Sequence, residues 1–358
     1  MSTAKDIRTL DEETQKLIET IAYNCDVADA QNAHENTMCI YLLKMRDYYR
    51  WTHRLPLNAQ LPKDKLGKWI NVKEKQWESL FDKDFQNLNI NNQEYDPFDV
   101  GSINDALKEK KLHYSAGFGR GGQVHFHLGA EHSFLTNRDE GIFVTSAEYA
   151  RDLTAAPAHS IDGNIFLRQE ALLHYIWAKY EEWSWKKPDN AMAQAINCYD
   201  FVTDPVSAAE QMGNREIYAT LLHEKGEIAA GNLLTEKWEE MLAEIANTRA
   251  EILVRATRDH LADCLVTLPT LIEAENWPSI HFYFANLEGF RKQLWPELVD
   301  LYKRALKAND LQDLNDYIQN DALPNWRSRT KNILEIASQN PDKLHHQITE
   351  YFAKNCGV

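Results

Sequence analysis

Between Gly117 and His132 the chain reads GFGRGGQVHFHLGAEH: four glycines ahead of His125, with His127 and His132 following and Glu131 alongside. This stretch constrains the fold more than any other. The glycines supply permissive backbone. Val124-His125-Phe126-His127-Leu128 then alternates with period two, the signature of a strand. Residues two apart on a strand point to one side, so His125 and His127 project together with Phe126 opposite. Gly141-Ile142-Phe143-Val144-Thr145 reads as a second short strand, with a turn over 137–140. A small β-hairpin or compact sheet around residues 112–145 follows.

The rest reads as helix. Residues 11–51 carry Leu17, Ile18, Ile21, Leu42 and Met45 in an approximately helical stripe. Residues 63–87 and 103–111 form two further helices. After Ser146 the helical pattern runs nearly to the end, in pieces at 147–153, 166–185, 190–198, 205–213, 215–230, 234–267, 287–307, 311–319 and 326–352. Pro157, Gly163, Pro188, Gly213, Pro269, Pro278 and Pro324 mark the breaks. The expected class is mainly α, with a helical bundle-like C-terminal part and a small β element, α+β at the coarse level. The expected division is a mixed part over 1–160 and a helical part over 161–358, with one continuous domain as the alternative.

The chain has 358 residues, enough for a sizeable core in one large domain or two. A formal net charge of −15 argues against general nucleic-acid binding and against attraction to anionic membranes. Five scattered cysteines with no CxxC pair argue against a zinc ribbon or a disulfide scaffold. No apolar signal core and no membrane-length apolar run are found, so the expected location is the cytoplasm.

The HxH element is a good half-site for iron, manganese, zinc or copper. Its spacing resembles the first motif of the cupin family, on which Gly119, His125, His127 and Glu131 fall. That resemblance implies metal ligation by His125, His127 and Glu131. It covers about twenty residues, and the second cupin motif has no counterpart here. A second constellation lies further on. Glu216, His223 and Glu227 share a helical face, and the Glu-x6-His spacing resembles part of the ligand pattern of haem-oxygenase-like di-iron oxidases. Glu170, His174 and Glu181 share a face of another helix, as do Asp259 and Asp263 of a third. Facing acids and imidazoles of this kind can hold a di-metal centre.

Around Arg258-Asp259-His260 and Asp263, charges run into an apolar helix end. A buried charge there needs a partner. No P-loop, GxSxG or EF-hand motif is present. Gly117, Gly119 and Gly122 spell GxGxxG, but a strand follows where a dinucleotide fold needs a helix.

The leading expectation is a metal-dependent enzyme, a non-haem iron or manganese oxidoreductase acting on a small-molecule or peptide-like substrate. His125, His127, His223, Glu227, Asp259 and Asp263 are the metal-ligand candidates, and iron is preferred over manganese or zinc. Glu224 and Arg258 are the catalytic candidates, Glu224 as base. The alternatives are a zinc-dependent hydrolase and a non-catalytic helical adaptor that binds a partner protein.

Overall fold

A computed structural model describes residues 9–119, 122–161, 163–339 and 343–358. The chain divides into two compact units, Met1–Glu182 with Phe201–Ile217, and Trp183–Asp200 with Tyr218–Val358. The coarse expectation of α+β holds. The β part extends beyond the small hairpin or compact sheet expected around residues 112–145, reaching Arg168.

The first unit opens on α1 (Glu12–Asn32). Asp11 caps it by accepting from the Thr14 backbone N–H, and Glu12 and Glu13 complement the helix dipole. α2 (Met38–Thr52) and α3 (Lys63–Leu80) follow. A two-stranded ribbon, β1 (Leu88–Ile90) and β2 (Gln93–Tyr95), leads to α4 (Val100–Leu107). Then come β3 (Leu112–Phe118), β4 (Val124–Glu131), β5 (Ile142–Arg151), β6 (Ala158–Ile161) and β7 (Asn164–Arg168), and α5 (Gln169–Ser184). The strands form one sheet in the order β3-β4-β5-β7-β6, antiparallel except for the parallel pair β5 and β7.

Residues 147–151, expected in a helix, are the end of β5, and residues 166–168, expected to open one, belong to β7. Two bulges explain the first misreading. Gly129 pairs with Glu148 and Leu128 with Ala150, so Tyr149 is an extra residue. Ser146 is extra in the same way, between the pairs of Ala130 with Ala147 and Glu131 with Thr145. The bulge at Tyr149 puts Glu148 and Arg151 on one face, three residues apart. That is a helical spacing carried by a strand.

One face of the sheet is apolar. Tyr114 and Ala116 of β3, Phe126 and Leu128 of β4, and Tyr149 and Ala150 of β5 pack on Leu17, Ile18, Ile21 and Cys25 of α1. The sheet curls about its other face until its edges approach. A methyl group on Gly117 of β3 would lie 3.2 Å from the Ile161 side chain of β6.

The second unit is helical. In chain order it contains α6 (Ala191–Asn197), the later part of α7 (Pro205–Leu234), α8 (Glu236–Glu244) and α9 (Arg249–Ala262). A π-helical turn over Asp263–Thr267 leads to α10 (Leu268–Glu273). Then follow α11 (Trp277–Ala285), α12 (Gly289–Leu294), α13 (Pro296–Ala308), α14 (Gln312–Tyr317), α15 (Leu323–Gln339) and α16 (Leu344–Cys356). Its core holds Trp238, Leu253, Leu298, Trp326 and Phe352. The helix break expected at Gly213 does not occur, because α7 continues through it. Among the described residues no helix is long and apolar enough to cross a membrane.

Candidate functional site

The inner face of the curled sheet carries the HxH element. Strand register fixes its company: Ser115 lies opposite His127, Gly117 opposite His125 and His113 opposite Gly129. Phe143 and His159 both lie opposite Phe166, and Thr145 lies opposite Arg168. Cross-strand partners share a face, so β3, β4, β6 and β7 direct four histidines and one arginine inward, and Glu148 joins them through the β5 bulge.

Curling brings residues of non-neighbouring strands together. The His125 and His159 ring centres are 4.6 Å apart, at 61°. His159 stacks on Phe166 at 5.1 Å, and His113 stacks on Phe143 at 4.3 Å. His127 Nε2 lies 3.4 Å from Glu148 Oε1, and Arg168 Nε donates to the same oxygen at 2.6 Å. Gly129 makes this possible. A side chain there would begin 3.0 Å from His127 Nε2 and 2.7 Å from the Ala147 carbonyl oxygen.

Burial removes the charge from these imidazoles. It drives His113 down to about 3, with Arg138 adding to the effect. Burial, and then Arg168, holds His127 well below its ordinary value. His159 is held down by burial and by His125, and burial lowers His125 against the opposing pull of Asp152. Many inward polar atoms have no hydrogen-bond partner: both ring nitrogens of His113 and His159, Nε2 of His125 and His127, Ser115 Oγ, Glu148 Oε2 and Arg168 Nη2. Buried polar groups are nearly always satisfied, so such a concentration on one inner face singles it out as the candidate site.

Charge continues outward from Glu148. Arg151 Nη1 lies 3.9 Å from Glu148 Oε2, and Arg151 Nη2 binds Asp47 at 2.8 Å. Asp47 also meets His174 Nδ1 at 2.6 Å. Glu170 accepts from the Glu148 backbone N–H and from Arg54, and Glu181 accepts from Arg50. Glu131, a ligand by the cupin-like spacing, is paired with Arg138.

The other expected ligands lie on α7 and α9 of the second unit, with Asp263 opening the π-helical turn. Asp263 is fully buried and accepts from Arg291 Nη2 at 2.5 Å, the Tyr283 hydroxyl at 2.8 Å and His223 Nδ1 at 3.2 Å. Glu227 lies 3.5 Å from His223 Nε2 and accepts from Arg258 at 3.0 Å. Asp259 lies 3.8 Å from Arg291. Burial alone would lower His223, but hydrogen bonds to Asp263 and then Glu227 hold it well above its ordinary value. The expected buried charge and its partner are thus Asp263 and Arg291. Of the catalytic candidates, Glu224 is buried on α7 and Arg258 joins Glu227 to Glu239.

Among the described residues no group of three or more His, Cys, Asp or Glu is placed to hold a metal ion. Sequence reasoning singled out His125 and His127 but missed His113, Ser115, Glu148 and Arg168. The alternation Leu112-His113-Tyr114-Ser115-Ala116 held the signal for the first two.

The fold and site define a two-unit α+β protein whose five-stranded sheet encloses a histidine-bearing polar face. The chain belongs to a family described as of unknown function, DUF6866. Residues 16–168 match the family's N-terminal domain and 173–355 its C-terminal domain. No curated protein and no solved structure matches the chain.

Proposed function

We propose that the chain is a metal-dependent enzyme, an oxidoreductase with iron preferred over manganese or zinc, centred on the inner face of the N-terminal sheet. One observation supports this: the His125 and His159 rings lie 4.6 Å apart, and each has a ring nitrogen without a protein partner. Two imidazoles on one ion, with metal–nitrogen bonds near 2.1 Å, place their ring centres roughly 4.5–5 Å apart. His127 becomes the third donor by turning from Glu148. Imidazoles must be neutral to ligate, and burial keeps these neutral. The ion would supply oxygen activation if iron, or a metal-bound hydroxide if zinc. Glu148, from which His127 turns, accepts a proton.

The test is metal analysis of protein purified without a histidine tag. Near-stoichiometric metal that disappears in His125→Ala/His127→Ala, and in His159→Ala, is the expected result. Metal kept in those variants and lost in His223→Ala would move the centre to the second unit. Metal-free protein whose melting temperature ignores added iron, manganese and zinc would end the proposal.

That last outcome would favour the adaptor reading. Its support is the start of α2, where Met38, Ile40, Leu42 and Leu43 are all exposed, Met38 to 70%. Apolar clusters of this kind mark partner surfaces.

A further inference from the structure

We infer that the same inner face binds an anionic oxygen of the substrate, a carboxylate or phosphate, through Arg168 and Ser115. This deepens the metal-centre reading by naming a substrate class, although its geometry is independent of the metal.

The argument is a mismatch of donors and acceptors. Arg168 is 1% exposed, and its Nε is spent on Glu148 while Nη2 has no partner. The Glu148 carboxylate is shared, because Arg151 lies 3.9 Å and His127 3.4 Å from it. Ser115 Oγ, fully buried and without a partner, stands beside His127 in register. Arg151 adds two more donor atoms without hydrogen-bond partners, Nε and Nη1. Each neutral imidazole offers one N–H and one bare nitrogen, so the histidines leave the balance unchanged and the excess lies with the two guanidinium groups. Against these stand two carboxylate oxygens without a hydrogen bond, Glu148 Oε2 and Asp152 Oδ2.

Water would not correct the excess, since it brings as many donors as acceptors. An anionic oxygen only accepts, and a buried guanidinium binds it by a charge-assisted hydrogen bond. Arg168 supplies the charge and Ser115 the hydroxyl. An anion held there lies next to His127, within reach of chemistry at the histidines.

The experiment is isothermal titration of the full chain with sodium succinate and with inorganic phosphate, before and after removal of metal with EDTA. Wild type should bind at least one of them in the EDTA-treated form, and the preferred anion identifies the group as carboxylate or phosphate. Glu148→Met/Arg168→Met removes both members of the buried pair together, the change such pairs tolerate best. It should weaken binding on the order of 10- to 100-fold, and Ser115→Ala about 3- to 10-fold. Unchanged affinity in the double variant overturns the inference, as does failure of wild type to bind either anion. Should the double variant fail to fold, unchanged affinity in Ser115→Ala overturns it. Anion binding that needs metal and ignores Arg168 refutes this inference and leaves the metal reading standing. Arg168-dependent binding by protein that takes up no metal refutes the metal reading and leaves this one standing.

Discussion

Replacing Asp263 by Asn should be among the most damaging single changes in the second unit. The carboxylate is fully buried and accepts from Arg291, Tyr283 and His223. Losing its charge leaves Arg291 with Asp259 at 3.8 Å and His223 with Glu227 at 3.5 Å, both longer than the roughly 2.7–2.9 Å of a strong charge-assisted hydrogen bond. Charge-assisted hydrogen bonds contribute about 1.5–3 kcal/mol each, but bonds sharing one acceptor do not add. Breaking a buried ionic network by removing one member costs about 3–5 kcal/mol. The expected loss is therefore about 4 kcal/mol, read by urea unfolding with the fluorescence of Trp238, Trp295 and Trp326, all buried in this unit. The pH dependence supplies a second reading. His223 is raised, so its contribution is complete below its unfolded value of about 6.5 and is lost as pH rises through the raised value. Burial alone would raise Asp263, but Arg291 and His223 hold it well below the carboxylate range. Its contribution is complete above about 3.9 and is lost as pH falls through the depressed value. Asp263→Asn should flatten the alkaline decline, since Asp263 is the main group that raises His223. A loss under about 1 kcal/mol, or an alkaline limb unchanged from wild type, would refute the view that this network is a structural ion cluster.

Gly226→Ala sets two effects against each other. Alanine gains about 1 kcal/mol of helix propensity. Its methyl would sit 2.6 Å from the Ala262 carbonyl oxygen, where α7 crosses α9, and overpacking against backbone costs about 1–3 kcal/mol or more. A lower melting temperature is expected by circular dichroism, and a higher one would show that the crossing yields. Gly129→Ala should cost about 1–3 kcal/mol by the same reasoning, and it should also disturb the His127 resonances in an NMR spectrum, because the new methyl meets that ring. Phe126→Ala, with the side chain fully buried against α1, should cost about 3–5 kcal/mol in denaturant, whereas Leu43→Ala, half exposed, should stay within about 0.5 kcal/mol.

The helices were legible because their burial follows the 3.6-residue period. α1, α3, α6 and α13 begin where a cap or proline stands. Long runs were less divisible. The chain turns at Ala246–Thr248 between α8 and α9, and Asn247 adopts positive φ there without any proline to announce it. Conversely Gly213 announced a break that α7 does not make, because its neighbours Leu173 and Ile176 leave ordinary packing room and a helix tolerates one glycine.

The site was half legible, and the reason lies in β5. The alternation at His125 and His127 was clean because β4 keeps period two between its apolar and inner faces. β5 does not: the extra residues Ser146 and Tyr149 shift its register twice, and Glu148 and Arg151 reach the inner face at a spacing that reads as helix. With the end of β5 and residues 166–168 of β7 taken for helix, Glu148 and Arg168 lose their relation to His125 and His127. The four histidines become one site only through a curled sheet in which β3 and β6, the two edges, approach each other. Closure of that kind is a property of bulges, twist and the small residues Gly117 and Gly129, and it leaves no periodic trace in the chain. The helical acids had the opposite fate. Their spacing on α7 and α9 was read from the 3.6-residue period, but their partners, Tyr283 on α11 and Arg291 on α12, come from elements with no sequence link to them. Those partners take up the Asp263 carboxylate with hydrogen bonds, whereas on the inner face of the sheet Arg168 Nη2 and several histidine nitrogens remain without hydrogen-bond partners. It is this difference in satisfaction, rather than the residue types, that directs the functional proposal to the sheet.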